Sequence, residues 1–102
     1  MIRVSVYYPN TGKFDLDYYE NKHMAMVAQR LNPMGLLRWE IDKGLAGGTP
    51  DAPAPFVAIG HVYFNSVADF QKAFGAHAAE IMADIPNYTD IEPQFQVSEV
   101  IG

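Results

Sequence analysis

The sequence contains no cysteine and few cations. Because there is no thiol, disulfide bonds, thiolate nucleophiles and cysteine-ligated zinc sites are all excluded. Seven Lys and Arg residues against twelve Asp and Glu residues give a formal net charge of −5, and the cations do not form a run. Nucleic acids and anionic membrane surfaces bind through clusters of cations, so we expect neither as a partner.

Long apolar runs are also lacking. No stretch approaches the roughly 20 apolar residues that span a bilayer, and the first ten residues lack the apolar core and cleavage site of a secretory signal. These absences predict a cytoplasmic location. The chain has 102 residues, of which 49% are hydrophobic, which suits one two-layer core and is too short for two. We expect one domain that covers residues 1–102.

Four segments alternate apolar and polar side chains with a period of two, which is typical of strands with one wet face. They are residues 2–8, 36–43, 56–65 and 94–100. The third and second strands are separated by GLAGGTPDAPAP at residues 44–55, which holds three Gly and three Pro. Such a segment continues neither a helix nor a strand, and a loop of this length in a compact domain is often a lid or a binding loop.

Two further segments have helical spacing. The first follows Asp15 or Asp17 as N-cap and ends at Asn32-Pro33, and the second begins after Ser66 as N-cap and is stopped by Pro86. The apolar stripe of the second helix comprises Val67, Phe70, Phe74, Ala78, Ile81, Met82 and Ile85. The order β-α-β-β-α-β is that of the split βαβ, ferredoxin-like α+β unit, with a four-stranded antiparallel sheet.

Right-handed crossovers place both helices on the same face of this sheet, so the other face lacks a cover. The small residues Ala58 and Gly60 suit close packing under the helices. The opposite side of that strand, with Val57, Ile59, His61 and Tyr63, is therefore expected to be uncovered. An apolar layer of this kind must be buried by something, and a second copy of the chain is the simplest cover. We expect a homodimer.

Three segments resemble the EthD family of dimeric α/β-barrel proteins. They are FDLDYYENKHMAM at Phe14–Met26, AIGHVYF at Ala58–Phe64 and AEIMADIPNYTDIEP at Ala79–Pro93. The glycine- and proline-rich loop is similar to that of short bacterial members, so the resemblance covers nearly the whole chain. It implies two sheets that close into a dimeric α/β barrel, with a small cavity in each subunit between the sheet and the first helix or loops.

The resemblance does not imply a single chemistry. Families with related architecture include cofactor-independent isomerases, dehydratases and decarboxylases, and antibiotic and haem-degrading monooxygenases. EthD itself takes its name from an association with an ether-degrading oxygenase system. The family usually has proline where this chain has Ala25. Because proline inside a helix costs about 3 kcal/mol and kinks it, Ala25 predicts a straighter first helix.

Two histidines are candidate catalytic residues. His23 lies on the apolar stripe of the first helix, where it is either a core residue bonded to a carbonyl or to Tyr19, or a general acid or base in the cavity. The resemblance favours the second reading. His61 and Tyr63 share the uncovered face of the third strand, where they either transfer protons or form hydrogen bonds at the dimer interface.

Tyr7, Tyr19 and Trp39 are candidate substrate-binding residues, although aromatic side chains on strands more often pack in cores or interfaces. His77 stands beside Ala76, Ala78 and Ala79, which offer it no polar partner, and it is expected to face solvent. No histidine pair has the spacing of a metal site, and the phosphate-binding and dinucleotide fingerprints are absent. We therefore expect neither a metal nor a cofactor.

The sequence leaves two functions open. The first is a cofactor-independent enzyme that transfers a proton on a hydrophobic small molecule, with His23 or His61 as base and Tyr63 or Tyr7 as donor to a developing oxyanion. The second is a non-catalytic accessory protein that holds a hydrophobic intermediate for a partner oxygenase system. Haem or oxygen chemistry is a third possibility, which a haem titration would test.

Overall fold

The computed structural model describes all 102 residues. The strands are β1 (Ile2–Pro9), β2 (Arg38–Lys43), β3 (Phe56–Phe64) and β4 (Gln94–Glu99). They form one antiparallel sheet in the order β2-β3-β1-β4. Together with the two helical segments this is the predicted βαββαβ, ferredoxin-like α+β fold. Residues 44–55, between β2 and β3, form neither a helix nor a strand.

The first helix is not regular along its length. It begins with an α-helical turn at Leu16–Tyr18, continues as a π-helical segment at Tyr19–His23 and returns to an α-helix at Met24–Leu31. The side chain of Asp15 accepts a hydrogen bond from the backbone N–H of Tyr18 at 3.1 Å, as its predicted N-cap role requires. Alanine at position 25 therefore does not make this helix regular, because the irregular segment arises without proline.

The π-helical segment has a consequence for packing. Successive residues of an α-helix point about 100° apart, so two neighbours both face the core only where the buried stripe is wide. Here His23 and Met24 are both buried, together with Tyr19 one turn earlier. The extra residue in the turn places the imidazole and the apolar stripe on the same side of the helix.

The second helix is an α-helix at Val67–Asp84. Its N-terminus is capped as predicted, since the Ser66 hydroxyl accepts from the backbone N–H of Asp69 at 3.1 Å. The predicted stripe is correct only in part. Ala73, which was not in it, is fully buried, whereas Val67 and Met82 are about two-fifths exposed, at 41% and 42%. Met82 stays accessible because it borders a cavity under the helix.

Strand β2 begins two residues later than the alternation predicted. Gly35 has a φ angle of +101°, which favours glycine, and it turns the chain between the first helix and the strand. The alternation with Trp39 and Ile41 predicts that Leu37 faces the core. Instead Leu36 is buried and Leu37 is 48% exposed. Within the strand the prediction holds, because Trp39 and Ile41 are its half-buried residues.

The register assigns each strand residue to one of two faces. Val4 pairs with Val62 on β3 and with Val97 on β4, and these residues lie on the face that the helices cover, called here the covered face. The alternate residues form the open face. Val57, Ile59, His61 and Tyr63 lie there as predicted, with Arg3, Ser5 and Tyr7 of β1 and Arg38, Glu40 and Asp42 of β2.

The open face is more polar than the sequence of β3 alone indicated. The Tyr63 hydroxyl donates to Glu40 at 2.6 Å, and the Arg38 guanidinium lies 4.2 Å from the centre of the Tyr63 ring.

Neither helix meets the length and hydrophobicity that crossing a membrane requires.

Candidate active site

A cavity of about 250 Å³ lies between the covered face of the sheet and the two helices. Fifteen of its seventeen lining residues are hydrophobic. Among those that form its walls are Val4, Val62, Phe70, Phe74, Ile81 and Phe95. The side chains with hydrogen-bonding groups on its surface are Tyr8, Tyr19 and His23. Concave, mostly apolar sites with a few polar groups are typical of small-molecule binding.

His23 is held by a carboxylate on the other helix. Its Nδ1 atom lies 2.9 Å from Oδ2 of Asp84, and its side chain is 5% exposed. A carboxylate can only accept hydrogen bonds, so Nδ1 carries a proton and donates it. In the neutral imidazole Nε2 is then unprotonated and has a free lone pair.

Hydrogen bonds keep Asp84 ionised and fixed. Its other oxygen, Oδ1, accepts from the hydroxyl of Tyr18 at 2.7 Å and from the side-chain amide of Asn87 at 2.9 Å. Partial burial raises the pKa of Asp84, but the hydrogen bonds from Asn87, Tyr18 and His23 outweigh it, so the pKa lies below its usual value.

Burial keeps the imidazole of His23 neutral. It lowers the pKa of His23, and the hydrogen bond and charge of Asp84 offset that effect only in part, so the pKa lies below its ordinary value. A neutral imidazole with an unprotonated Nε2 can act as a general base near pH 7.

The Nε2 atom of His23 is the ring nitrogen that is left for a ligand. It makes no hydrogen bond with the protein. Among the side-chain nitrogen and oxygen atoms that are fully buried, only Nε of Arg3 lacks a hydrogen-bond partner, so Nε2 of His23 is not one of the fully buried atoms. Nε2 is therefore accessible, and His23 lines the apolar cavity. A ligand there can reach this lone pair.

Aromatic rings fix the orientation of the imidazole. Tyr19 stacks on His23 with ring centres 5.6 Å apart and planes 15° apart, and Tyr88 lies 4.6 Å away on a tilted plane. The hydroxyls of Tyr8 and Tyr88 share a hydrogen bond of 2.6 Å. Ring packing and this buried bond restrict the rotamers of the site.

Tyr19 is the second polar group that faces the cavity. Its hydroxyl lies directly over Gly60, where a Cβ atom would overlap it, and beside the hydroxyl of Tyr8. Burial, and then the neighbouring Tyr8, raise the pKa of Tyr19, so the hydroxyl keeps its proton and can donate it.

Comparison with known proteins identifies the family. A model of the EthD domain matches residues 11–92. The chain belongs to the EthD family. An EthD-like protein from Ralstonia eutropha is 44% identical, with a TM-score of 0.93, over 99% of this chain and 92% of that one. No curated protein matches the sequence.

More distant structures share the fold. An ethyl tert-butyl ether degradation (EthD) family protein from Bacillus halodurans is 16% identical with a TM-score of 0.67, over 99% of both chains. A dimeric ferredoxin-like protein from an uncultured marine organism is 13% identical with a TM-score of 0.64, over 100% of this chain and 96% of that one.

The structure divides the candidate residues of this EthD protein between the two faces of the sheet. His23 and Tyr19 line the cavity, whereas His61, Tyr63 and Tyr7 lie on the open face and cannot share a site with His23 in the same protomer. Trp39 is on the covered face and packs against the core without lining the cavity. None of residues 44–55 lines the cavity either.

A second polar cluster occupies the open face. The Nδ1 atom of His61 lies 2.9 Å from the Ser5 hydroxyl, and its Nε2 atom lies 2.8 Å from Oδ2 of Asp42. Ser5 is only 1% exposed and lies in a central strand, so its hydroxyl has no space for an incoming substrate. Nowhere in the chain do three or more His, Asp or Glu side chains form a possible metal site.

Sequence reasoning missed the residues that hold His23. It gave no role in the site to Asp84, Tyr18 or Tyr88. The available signal was weak: Asp84 and Tyr88 both lie in the Ala79–Pro93 segment that carries the family resemblance. The predicted hydrogen-bond partners of His23, a backbone carbonyl or Tyr19, are replaced by Asp84, while Tyr19 contacts the ring by stacking.

Proposed function

We propose that this EthD protein is a cofactor-independent enzyme that transfers a proton on a hydrophobic small molecule, in a reaction of the isomerase or dehydratase type. One observation supports this above all others. A carboxylate holds Nδ1 of His23, while Nε2 stays unpaired in a side chain that lines an apolar cavity of about 250 Å³. The orientation of an imidazole by a partly buried carboxylate is a common device of general base catalysis.

The chemistry follows from the two polar groups of the cavity. Nε2 of His23 takes a proton from a carbon next to a carbonyl, and Asp84 stabilises the imidazolium that forms. The Tyr19 hydroxyl donates a hydrogen bond to the carbonyl oxygen as negative charge develops there. The imidazolium then returns the proton to another carbon, which isomerises the substrate without a net change in protons. Tyr19 takes the donor role for which the sequence suggested Tyr63 or Tyr7.

Proton exchange on a model ketone tests the proposal. With 2-tetralone in D₂O, NMR should show loss of the α-proton faster with protein than in buffer. His23→Ala should lower the protein-dependent rate about 100-fold or more, the usual contribution of a general base. His77→Ala on the second helix is the matched control and should keep the rate. Exchange that persists unchanged in His23→Ala would exclude His23 as the base.

A ligand-carrying accessory role is the second candidate. The observation in its favour is that the cavity has few polar groups among mostly apolar walls, which suits retention as well as reaction. In that case a hydrophobic compound should stay bound through purification and be visible by native mass spectrometry. Its affinity should be the same above and below the titration of His23, and in His23→Ala. A partner oxygenase system would supply or consume the compound.

We also infer that two copies pair through the open face. Nε of Arg3 there is buried without a hydrogen-bond partner, and buried donors of this kind are rare. The face carries Arg3 and Arg38 beside Glu40 and Asp42, so a two-fold axis can bring opposite charges together. One fold neighbour is dimeric.

Light scattering after size exclusion tests the pairing. The protein should have twice the mass of the chain, and Ile59→Lys on the open face should halve it. Val67→Lys on the exposed start of the second helix is the control and should leave the mass unchanged. A monomer at micromolar concentration would contradict this inference. The cytoplasmic location stays a prediction.

A further inference from the structure

We propose that the cavity selects uncharged compounds of about two fused rings that present a hydroxyl or enol hydrogen to Nε2 of His23. The proposal names the ligand class of the site described above and in that sense rests on the proposed function. It concerns binding alone, however, and needs no turnover.

The hydrogen-bond polarity of the site decides which ligand group fits. Because Nδ1 of His23 donates to Asp84, the ring offers only the lone pair of Nε2 to the cavity. A ligand hydroxyl can donate to this lone pair. An ether or ketone oxygen at the same place would face another acceptor and leave Nε2 unpaired, which makes binding weaker.

The charge around the cavity excludes anions. No Lys or Arg is among its lining residues, and the nearest charged group behind His23 is the carboxylate of Asp84. A ligand carboxylate or phosphate would lose its hydration without gaining a cation, and it would also repel Asp84. The site therefore differs from one for acidic metabolites.

The size of the cavity sets the scale of the ring system. An apolar cavity of about 150 Å³ accommodates benzene, and this one has about 250 Å³. Two fused rings therefore fit. Beyond His23, the free polar group is the Tyr19 hydroxyl over Gly60, so a ligand with more than about two polar groups would leave some of them unpaired.

Four naphthalene probes test the selection in calorimetric titrations of the whole protein. We expect 2-naphthol to bind about tenfold more tightly than 2-methoxynaphthalene, which has the same ring and oxygen but no donor, and than naphthalene itself. The anion 2-naphthoate should bind more weakly than naphthalene. Equal affinities for 2-naphthol and 2-methoxynaphthalene, or tighter binding of 2-naphthoate, would overturn the proposal.

Asp84→Asn should remove the preference. Tyr18 and Asn87 both donate to Oδ1 of residue 84, so they select the amide oxygen for that side and turn the NH₂ group toward His23. The amide then donates to Nδ1, and the imidazole proton moves to Nε2, where either a hydroxyl or an ether oxygen can accept it. The variant should bind 2-naphthol and 2-methoxynaphthalene with similar affinity, and ¹⁵N chemical shifts of His23 should show the exchanged tautomer.

Glu80→Gln is the matched control, because Glu80 lies one turn earlier on the same helix and pairs with Arg30 instead of His23. It should keep the wild-type preference. If Asp84→Asn fails to fold, the wild-type probe series still decides the proposal. Selective binding of 2-naphthol without proton exchange on 2-tetralone would refute the proposed enzyme and leave the ligand class in place. Proton exchange on 2-tetralone without selective binding of 2-naphthol would refute the ligand class alone.

Discussion

Nδ1 of His23 and Oδ2 of Asp84 lie 2.9 Å apart although 61 positions separate them in the chain. The contact joins the first helix to the last turn of the second, and Tyr18 and Asn87 converge on the same carboxylate. The proposed site is therefore also a structural link between the two helices, and its chemistry can be tested through stability as well as through activity.

Asp84→Ala should destabilise the fold by about 1–3 kcal/mol, because it leaves the buried Nδ1–H of His23 without an acceptor. Urea denaturation measures this as a lower midpoint with an unchanged slope. Glu20→Ala is the control, since Glu20 is exposed and makes no side-chain hydrogen bond or salt bridge. A loss no larger than that of the control would show that the Asp84–His23 contact contributes nothing to stability.

Stability should fall as the pH drops below about 6.5, the ordinary pKa of histidine in an unfolded chain. Burial lowers the pKa of His23 in the folded state, so in this range the unfolded state binds more protons and is favoured. Urea denaturation at about pH 7.5 and about pH 5 measures the change. The stability that Asp84 contributes is lost only at still lower pH, because its pKa in the folded state is lowered. In His23→Gln the decrease should be smaller. An equal decrease would assign it to other groups.

Gly60→Ala should destabilise the protein by about 1–3 kcal/mol, because its Cβ would overlap the buried Tyr19 hydroxyl and force the ring to move. Gly75→Ala, on the second helix with open space around it, should instead stabilise by about 0.5–1 kcal/mol. Thermal denaturation distinguishes the two signs. Adding Tyr19→Phe to Gly60→Ala should restore part of the loss, and no rescue would place the strain elsewhere.

Tyr8→Phe should cost about 1–3 kcal/mol, because it leaves the buried Tyr88 hydroxyl without its partner. The double variant Tyr8→Phe, Tyr88→Phe should be less unstable than the sum of the two single variants, since neither hydroxyl remains unpaired. A double-mutant cycle in urea measures this coupling. Strict additivity would mean that the 2.6 Å contact carries no interaction free energy.

Much of the fold could be predicted from short-range pattern. The alternation in β3 placed Val57, Ile59, His61 and Tyr63 on one face, Ser66 was found as an N-cap, and Asp15 was one of the two candidates for the other. These features depend on the pleat of a strand and on backbone N–H groups a few residues away, so local sequence suffices. The start of β2 was missed because Gly35 shifts the inward residue from Leu37 to Leu36.

The site was predictable only in its parts. Sequence selected His23 and Tyr19 together with His61, Tyr63 and Tyr7, but it could not decide which of them line the cavity, since that depends on how the helices pack on the sheet. Nor could it join Asp84 to His23, because the last turn of one helix reaches the middle of another only when both pack on the sheet.

By itself, then, the sequence determined the βαββαβ order, the two faces of β3 and the family, because periodicity, caps and family motifs are carried by the order of residues. The tertiary structure alone decided which histidine faces the cavity and which nitrogen it presents. Burial and the Asp84 carboxylate, brought from 61 positions away, set the protonation of His23, and both effects depend on distances in space that the order of residues does not contain.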